Sequence, residues 1–173
     1  ALAEHIEGLN AEPDARLHLG VSIRSFRAEK LSAFVSCVIS NQPQQARVFY
    51  NEIAEHYPIA LTRNLSTARQ WLKHHARGSE LFGLVASSGA NRLKPEGINV
   101  KAKITPADWF LKGIHDVRSC QYLEDVATEF DIQGLELDWA GVCWDADFRY
   151  TFEDAEQGQW TYNSFRGTKW QRV

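Results

Sequence analysis

The chain of 173 residues contains no methionine, not even at position 1, and it contains only three cysteines. The missing initiator residue leads us to expect a segment of a longer protein. Cys37, Cys120 and Cys143 are odd in number and far apart, so they provide neither a disulfide framework nor a zinc-binding spacing. Two of the three lie in apolar surroundings and are predicted to be buried thiols, and the pattern as a whole predicts a cytoplasmic location.

Two further patterns are missing. No apolar run approaches the ~20 residues needed to cross a bilayer, and no signal peptide begins the chain, so no membrane partner is expected. The phosphate-binding pattern G-x-x-x-x-G-K-[ST] is also missing; its nearest match, Gly83 to Gly89, has the wrong spacing and no lysine. Because this pattern supplies the phosphate cradle and a magnesium ligand, we expect the chain alone to hydrolyse no ATP.

Charge is unevenly distributed, although the formal net charge is only −3. Residues 61–103 contain eight Lys/Arg and two acidic residues, whereas residues 116–156 contain two Lys/Arg and twelve acidic residues. The basic segment is a candidate surface for phosphate contacts; solvated faces of opposite sign are the alternative. The apolar fraction of 44% and the charged fraction of 24% are typical of a globular domain.

Strand-like and helix-like patterns alternate along the chain. Residues 17–23 alternate apolar and polar side chains as a strand does, and helical stripes follow over residues 31–39 and 46–57. Further helices are predicted at 66–77 and from Thr105-Pro106, and further strands at 59–62, 81–87, 122–130 and 137–144. This alternation predicts an α/β, three-layer fold with a mostly parallel sheet and helices on both faces.

The expected organisation is a single domain over residues 15–173, preceded by a loose N-terminal segment at residues 1–14. From about residue 145 to residue 173 the chain is aromatic and polar, and helical periodicity is lost. A β-ribbon or an extended arm would account for this tail. Trp160 and Trp170 in the tail are candidates for stacking on nucleic-acid bases, with a place in the core as the alternative.

Residues 128–138 read T-E-F-D-I-Q-G-L-E-L-D and precede an apolar run from Trp139 to Trp144. The stretch places a glycine turn between two strand-like segments. It resembles motif V of superfamily 1 helicases, roughly T-x-H-x-x-K-G-L-E-x-D. Phe130 stands where that motif has its usual histidine, and Gln133 stands in place of the lysine.

Residues 19–25, L-G-V-S-I-R-S, resemble motif IV of the same superfamily, L-x-x-N-Y-R-S. The surrounding sequence is similar to the bacterial Schlafen-related, helicase-like P-loop NTPases, long described as a domain of unknown function. This resemblance covers about residues 15–173 and implies the C-terminal RecA-like lobe of a two-lobed motor. The arginine-bearing motif VI of the family does not occur before Val173, and an upstream RecA-like lobe of the same polypeptide is the implied partner.

The resemblance implies that Arg24 reaches the γ-phosphate of ATP across the cleft between the lobes. A guanidinium cannot lose its proton there, and it stabilises charge on the transferring phosphoryl group. Arg27 is the fallback, and a surface ion pair is the alternative role for Arg24. ATP and Mg²⁺ are implied only for the intact parent, and no metal-ligand set is predicted in this segment.

The motif V resemblance implies that Gln133, Gly134 and Glu136 lie at the nucleotide, with Glu136 accepting a ribose hydroxyl. Glycine permits close backbone approach, whereas the replacement of lysine by Gln133 removes a charge. The same resemblance implies that Thr128 contacts a nucleic-acid phosphate. For Glu136 and the nearby Asp138, the exposed start of a strand is the alternative reading.

Residues 87–94, S-S-G-A-N-R-L-K, follow an apolar strand and offer hydroxyl groups, a glycine and two cations. Arg92 and Lys94 are therefore candidate contacts to the backbone of single-stranded DNA or RNA, and a plain turn is the alternative.

Two other function classes stay open. A metal-dependent nuclease would use carboxylates together with Lys101 and Lys103, although these lysines precede the carboxylates. The acidic candidates are Glu124, Asp125, Glu129, Glu136 and Asp138. A non-catalytic protein-interaction module is the third class. Metal-dependent cleavage by the chain alone would favour the nuclease, and ATP-dependent behaviour that requires an upstream lobe would favour the motor.

Overall fold

The computed structural model describes residues 29–154, 157–166 and 168–172. The predicted strand at 17–23, Arg24 and Arg27 lie outside these residues. The chain divides into two compact units, Ala1–Ala60 and Leu61–Val173, and each is described by itself. The boundary falls inside the range that the sequence pattern assigned to one domain. None of the helices within the described residues is long and apolar enough to cross a membrane.

The first unit contains a helical hairpin, as the apolar stripes predict. Helix α1 spans Glu29–Ile39 and helix α2 spans Pro43–Ile53. Asn41 takes a left-handed conformation with φ of 53°, and the Gln42 N–H donates to the Cys37 carbonyl oxygen at 2.8 Å. This backbone pattern is a common end of a helix. Proline in the first turn of α2 then costs no hydrogen bond, since those N–H groups have no helical partner.

The second unit contains a three-stranded parallel sheet with the order β2-β1-β3. Strand β1 spans Phe82–Ala86, β2 spans Val126–Thr128 and β3 spans Trp139–Cys143. In both pairings of β1, Ala86 is the last residue in register, opposite Thr128 on one side and Cys143 on the other. The three strands therefore end at the same level.

Helices cover both faces of this parallel sheet, as predicted. Helix α3, Leu65–His75, places the buried Leu72 against Phe82, Leu84 and Ala86 of β1. Helix α4, Pro106–Leu111, places the buried Trp109 in a second cluster that includes Val85 on the opposite face of β1. Because successive side chains of a strand point to opposite faces, an unbroken apolar strand needs a layer on each side.

Local details differ from the sequence prediction, and of the strand predicted at 122–130 only Val126–Thr128 is a strand. Residues 59–62 form no strand. Helix α3 begins one residue earlier than expected and is capped by Asn64, whose Oδ1 accepts from the Thr67 N–H at 2.8 Å. Asparagine in an extended conformation is a favoured N-cap, which explains why the helix begins before Ser66. The second unit also contains two 3-10 helices, Asn91–Glu96 and Cys120–Tyr122.

The aromatic tail forms a second, antiparallel sheet with the order β4-β5-β6. Strand β4 spans Phe148–Asp154, β5 spans Gln157–Arg166 and β6 spans Lys169–Arg172. The mostly parallel sheet predicted for the domain therefore does not include these three strands, which lie in the tail where the sequence predicts a β-ribbon or an extended arm. Only two residues separate each strand from the next, whereas a parallel pairing needs a crossover of about a dozen residues.

Candidate nucleotide and nucleic-acid interface

The common end of the parallel strands gathers polar residues at one edge of the sheet, called the carboxyl edge below. The serine pair Ser87-Ser88 follows β1, Glu129 follows β2, and the turn Trp144–Asp147 follows β3. In open α/β sheets, ligands bind at this edge, where connections leave a central strand in opposite directions. In the order β2-β1-β3, the chain leaves β1 toward β2 on one side, and β3 lies on the other side. The position at which connections diverge is therefore beside β1.

Ser88 and Glu129 join the ends of β1 and β2. The Ser88 N–H donates to Glu129 Oε2 at 2.8 Å, and the Ser88 hydroxyl donates to Oε1 at 2.7 Å. Partial burial opposes ionisation, but these hydrogen bonds outweigh it and lower the pKa of the Glu129 carboxyl. Lys101 brings a cation to the same loop, since its Nζ donates to the Ser88 carbonyl oxygen at 3.1 Å.

Thr128 lies at the carboxyl edge and is buried. Its hydroxyl donates to Asp131 Oδ2 at 2.6 Å, and its N–H donates to the same oxygen at 2.9 Å. The hydroxyl hydrogen is thus directed at a carboxylate within the chain. A contact from Thr128 to a phosphate would require its hydroxyl to leave Asp131, because a phosphate oxygen accepts hydrogen bonds as the carboxylate does.

Asp147 lies buried beside residues 87–89, called the serine loop below, and the sequence pattern did not identify it. The Ser87 hydroxyl donates to Asp147 Oδ2 at 2.5 Å. A Cβ at Gly89 would lie 3.0 Å from the same oxygen and 3.4 Å from the Tyr162 hydroxyl, so a side chain at that position would crowd the loop. The sequence feature that could have identified Asp147 is the acidic pair Asp145 and Asp147, which directly follows an apolar strand.

Arg92 is held on two sides. Its N–H donates to Asp145 Oδ2 at 3.3 Å, and Nη1 lies 3.9 Å from Oδ1 of that buried carboxylate. The guanidinium carbon lies 5.3 Å from the centre of the Trp170 ring and 5.9 Å from that of Phe165. The side chain is still 47% exposed. Lys94, on the same 3-10 helix, is exposed.

The three residues predicted at the nucleotide, Gln133, Gly134 and Glu136, lie exposed in the crossover of residues 129–138. Gly134 has φ of +83°, a conformation that side chains disfavour. The carboxylate of Glu136 makes no hydrogen bond or ion pair within the described residues, so its oxygens are available as acceptors.

Asp138 marks the far end of this crossover. Its Oδ2 accepts from the Leu81 N–H at 2.7 Å, immediately before β1 begins. Thr128 lies at the opposite end of the sheet, about 16 Å away along a five-residue strand. The first and last residues of the motif V stretch are therefore separated. The alternative reading of Asp138, an acidic residue at the start of a strand, fits its hydrogen bond.

A cleft of about 530 Å³ opens beside the end of β3. It lies between the first turn of α3 and the 3-10 helix Asn91–Glu96, and Trp144 and Cys143 form part of its wall. Burial raises the pKa of the Cys143 thiol, while the nearby Arg69 opposes this shift. The thiol is therefore protonated at neutral pH.

The carboxylates considered for a nuclease make separate contacts. Glu124 lies 4.0 Å from Arg69, Asp125 lies 3.1 Å from Arg118, and Glu129 and Asp138 bind the groups described above. Within the part of the chain that the structure describes, no three His, Cys, Asp or Glu side chains form a group that could hold a metal ion. No specific observation therefore favours a nuclease.

The comparisons with known proteins agree with the resemblance to helicase-like proteins. Residues 1–173 match the family model described as Schlafen group 3, DNA/RNA helicase domain. No curated protein and no solved structure gives a significant match. The family description indicates a helicase-like role and an association with nucleic acid. Since the match covers its whole length, the chain belongs to the Schlafen group 3 DNA/RNA helicase domain family.

Proposed function

We propose that this chain is the RecA-like second lobe of an ATP-dependent helicase or translocase, and that single-stranded DNA or RNA crosses its carboxyl edge. The observation that carries the proposal is the common level at which Ala86, Thr128 and Cys143 end their strands. This alignment brings the following polar loops to one edge, where ligands of α/β folds bind. The layers of helices on both faces of the parallel sheet agree with a RecA-like lobe.

The nucleic-acid contacts proposed at this edge come from the loop after β1. The Lys101 ammonium beside this loop, Arg92 and Lys94 supply donors and positive charge for backbone phosphates, while the Ser87 and Ser88 hydroxyls already donate to Asp147 and Glu129. Such contacts position a strand and carry no base information. Glu129 and the buried Asp147 have a different role, because they hold the serine loop in place.

The proposed ATP site is completed by an upstream lobe of the same polypeptide, which holds the phosphates and Mg²⁺. Arg24 provides positive charge toward the γ-phosphate, in line with motif IV. In the crossover, the open backbone at Gly134 and the free Glu136 carboxylate fit a nucleotide, since the carboxylate can accept a ribose hydroxyl. Gln133 offers an amide beside them.

The test compares the intact polypeptide with residues 1–173 alone. We expect ATP hydrolysis only in the intact polypeptide, stimulated by single-stranded nucleic acid. Lys101→Ala should reduce the affinity for a single strand, while the matched control Lys112→Ala should not, because Lys112 lies at the end of α4 and pairs with Asp108 and Asp116. ATP turnover by residues 1–173 alone, or equal strand affinities in both lysine variants, would contradict the proposal.

A further inference from the structure

One side of the antiparallel sheet carries a continuous group of aromatic rings. Phe148, Tyr150 and Phe152 alternate along β4 and therefore point to the same side. Trp160 and Tyr162 of β5 stand opposite Tyr150 and Phe148 in the register. Trp144 joins them from the turn before β4. The group, called the aromatic face below, consists of Trp144, Phe148, Tyr150, Phe152, Trp160 and Tyr162.

The aromatic face is ordered by ring contacts and exposed at its margins. The Phe148 and Trp160 rings are stacked, with centres 4.6 Å apart and planes 9° apart, and Trp144 lies 6.1 Å from Trp160. Phe152 is 72% exposed, Trp144 59% and Tyr162 49%. Exposed apolar patches of this kind mark binding surfaces, because a soluble protein gains nothing by leaving them in water.

The charge around the aromatic face is divided, since β4 ends in Glu153 and Asp154 whereas β5 and β6 carry positive charge that suits a polyanion. No acidic residue occurs between Gln157 and Arg172, although the chain as a whole has a net charge of −3. Ser164 lies on the same side of β5 as Tyr162, which is two residues before it, and Gln171 of β6 stands opposite Ser164. Lys169, two residues before Gln171, therefore lies on that side as well. The acidic residues that precede β4, Asp145 and Asp147, are buried.

The aromatic face is continuous with the carboxyl edge. Trp144 directly follows Cys143, the last residue of β3. At the other side, the Tyr162 hydroxyl reaches the loop at Gly89. The aromatic face and the carboxyl edge therefore meet at Trp144 and at Tyr162.

We propose that the aromatic face stacks the bases of single-stranded nucleic acid as the strand leaves the carboxyl edge. The inference rests on the proposed function and assigns the base contacts that the polar edge lacks. Every base has a flat π surface, so stacking on Trp144, Phe152 and Tyr162 accepts any sequence. Residues 157–172, which form β5 and β6, contain three Lys/Arg and no acidic residue, and this positive charge favours a polyanion over a protein partner.

The test uses the intact polypeptide with Phe152→Ala, Tyr162→Ala and the double variant. Tyr122→Ala is the matched control, because Tyr122 is 45% exposed but lies on the 3-10 helix Cys120–Tyr122. Phe152→Trp keeps a ring at the same position and should retain affinity. The probe is a fluorescent oligothymidylate of about 20 nucleotides, longer than the roughly 4–16 that one small fold covers. A second probe has the same backbone with abasic positions.

We expect each alanine variant to weaken binding of the oligothymidylate about 5-fold or more, with the double variant weaker still. Affinity for the abasic strand and the dependence on salt should stay unchanged, because the phosphate contacts are retained. Equal losses of affinity for the two probes, or a double variant that binds like the wild type, would overturn the base-stacking proposal but not the proposed function. Unchanged strand affinity in all alanine variants, together with a lower free energy of unfolding of the intact polypeptide, would identify a contact within the protein instead. A wild-type protein that binds neither strand would overturn the proposed function as well.

Discussion

The indole of Trp109 packs directly on the backbone of Gly83, in the central strand of the parallel sheet. A Cβ at Gly83 would lie 2.8 Å from ring carbon Cζ2 and 2.9 Å from Cη2 of Trp109. Trp109 is only 1% exposed, so its ring has little space to move away. The contact holds α4 on one face of β1 and thereby supports the edge at which the proposed ligands bind.

Gly83→Ala should therefore destabilise the second unit by about 2 kcal/mol, since an added methyl group in a packed core forces neighbours to shift. The free energy of unfolding from denaturant titration measures this loss. Gly113→Ala is the matched control, because no atom lies within 4 Å of a Cβ at that position. Equal stability of the two variants would show that the sheet adjusts to the added methyl group.

Glu129→Gln should lower stability at neutral pH by about 1 kcal/mol or less, because an exposed hydrogen bond to a charged group contributes little. The amide can replace only one of the two oxygens that accept from Ser88. The pKa of Glu129 is lowered from 4.5 in the folded protein, so its contribution is present above that pH. It is lost as the pH falls further and Glu129 becomes protonated.

The stabilities of Glu129→Gln and the wild type should thus converge in acid. Glu124→Gln serves as the control, since Glu124 lies 4.0 Å from Arg69 with a side chain that is 60% exposed. A difference between Glu129→Gln and the wild type that persists unchanged below pH 4.5 would contradict the ionised hydrogen-bonded state.

Arg24→Ala in the intact polypeptide should reduce ATP turnover by roughly 10³-fold, the scale reported for arginine residues at phosphoryl-transfer sites. Nucleotide affinity should change little, because the upstream lobe supplies most contacts in the proposed site. Steady-state ATPase assays and nucleotide titrations separate the two effects. If Arg27→Ala loses turnover and Arg24→Ala does not, the role belongs to Arg27.

Replacing both Arg92 and Lys94 with alanine should weaken single-strand binding equally for all sequences. The slope of log affinity against log salt should fall by about one if one side chain contacts a phosphate, and by about two if both do. Because Arg92 also holds Asp145 and the Trp170 ring, Lys94→Ala alone is the structurally milder variant. An unchanged slope in the double variant would show that neither side chain contacts a phosphate and that the loop is a plain turn.

Local features of this protein follow from its sequence. The helical stripes predicted α1 and α2, and the apolar run at 81–87 predicted a strand that both faces cover. The Thr105-Pro106 pair correctly predicted the start of α4. These features depend on residues close together in the chain, so periodicity and capping are enough to identify them. The motif resemblance likewise identified the family from the order of residues.

Only the tertiary structure decided which strands pair and where the motif residues lie. Periodicity shows that a strand is buried, but it does not name the neighbouring strand. The bond from Ser87 to Asp147 joins residues 60 positions apart, and that from Leu81 to Asp138 joins residues 57 apart. Such contacts place Thr128 and Asp138 at opposite edges, bury Asp147 at the serine loop and leave the aromatic face exposed. They form only when the whole sheet assembles, because each depends on side chains brought together by distant parts of the chain.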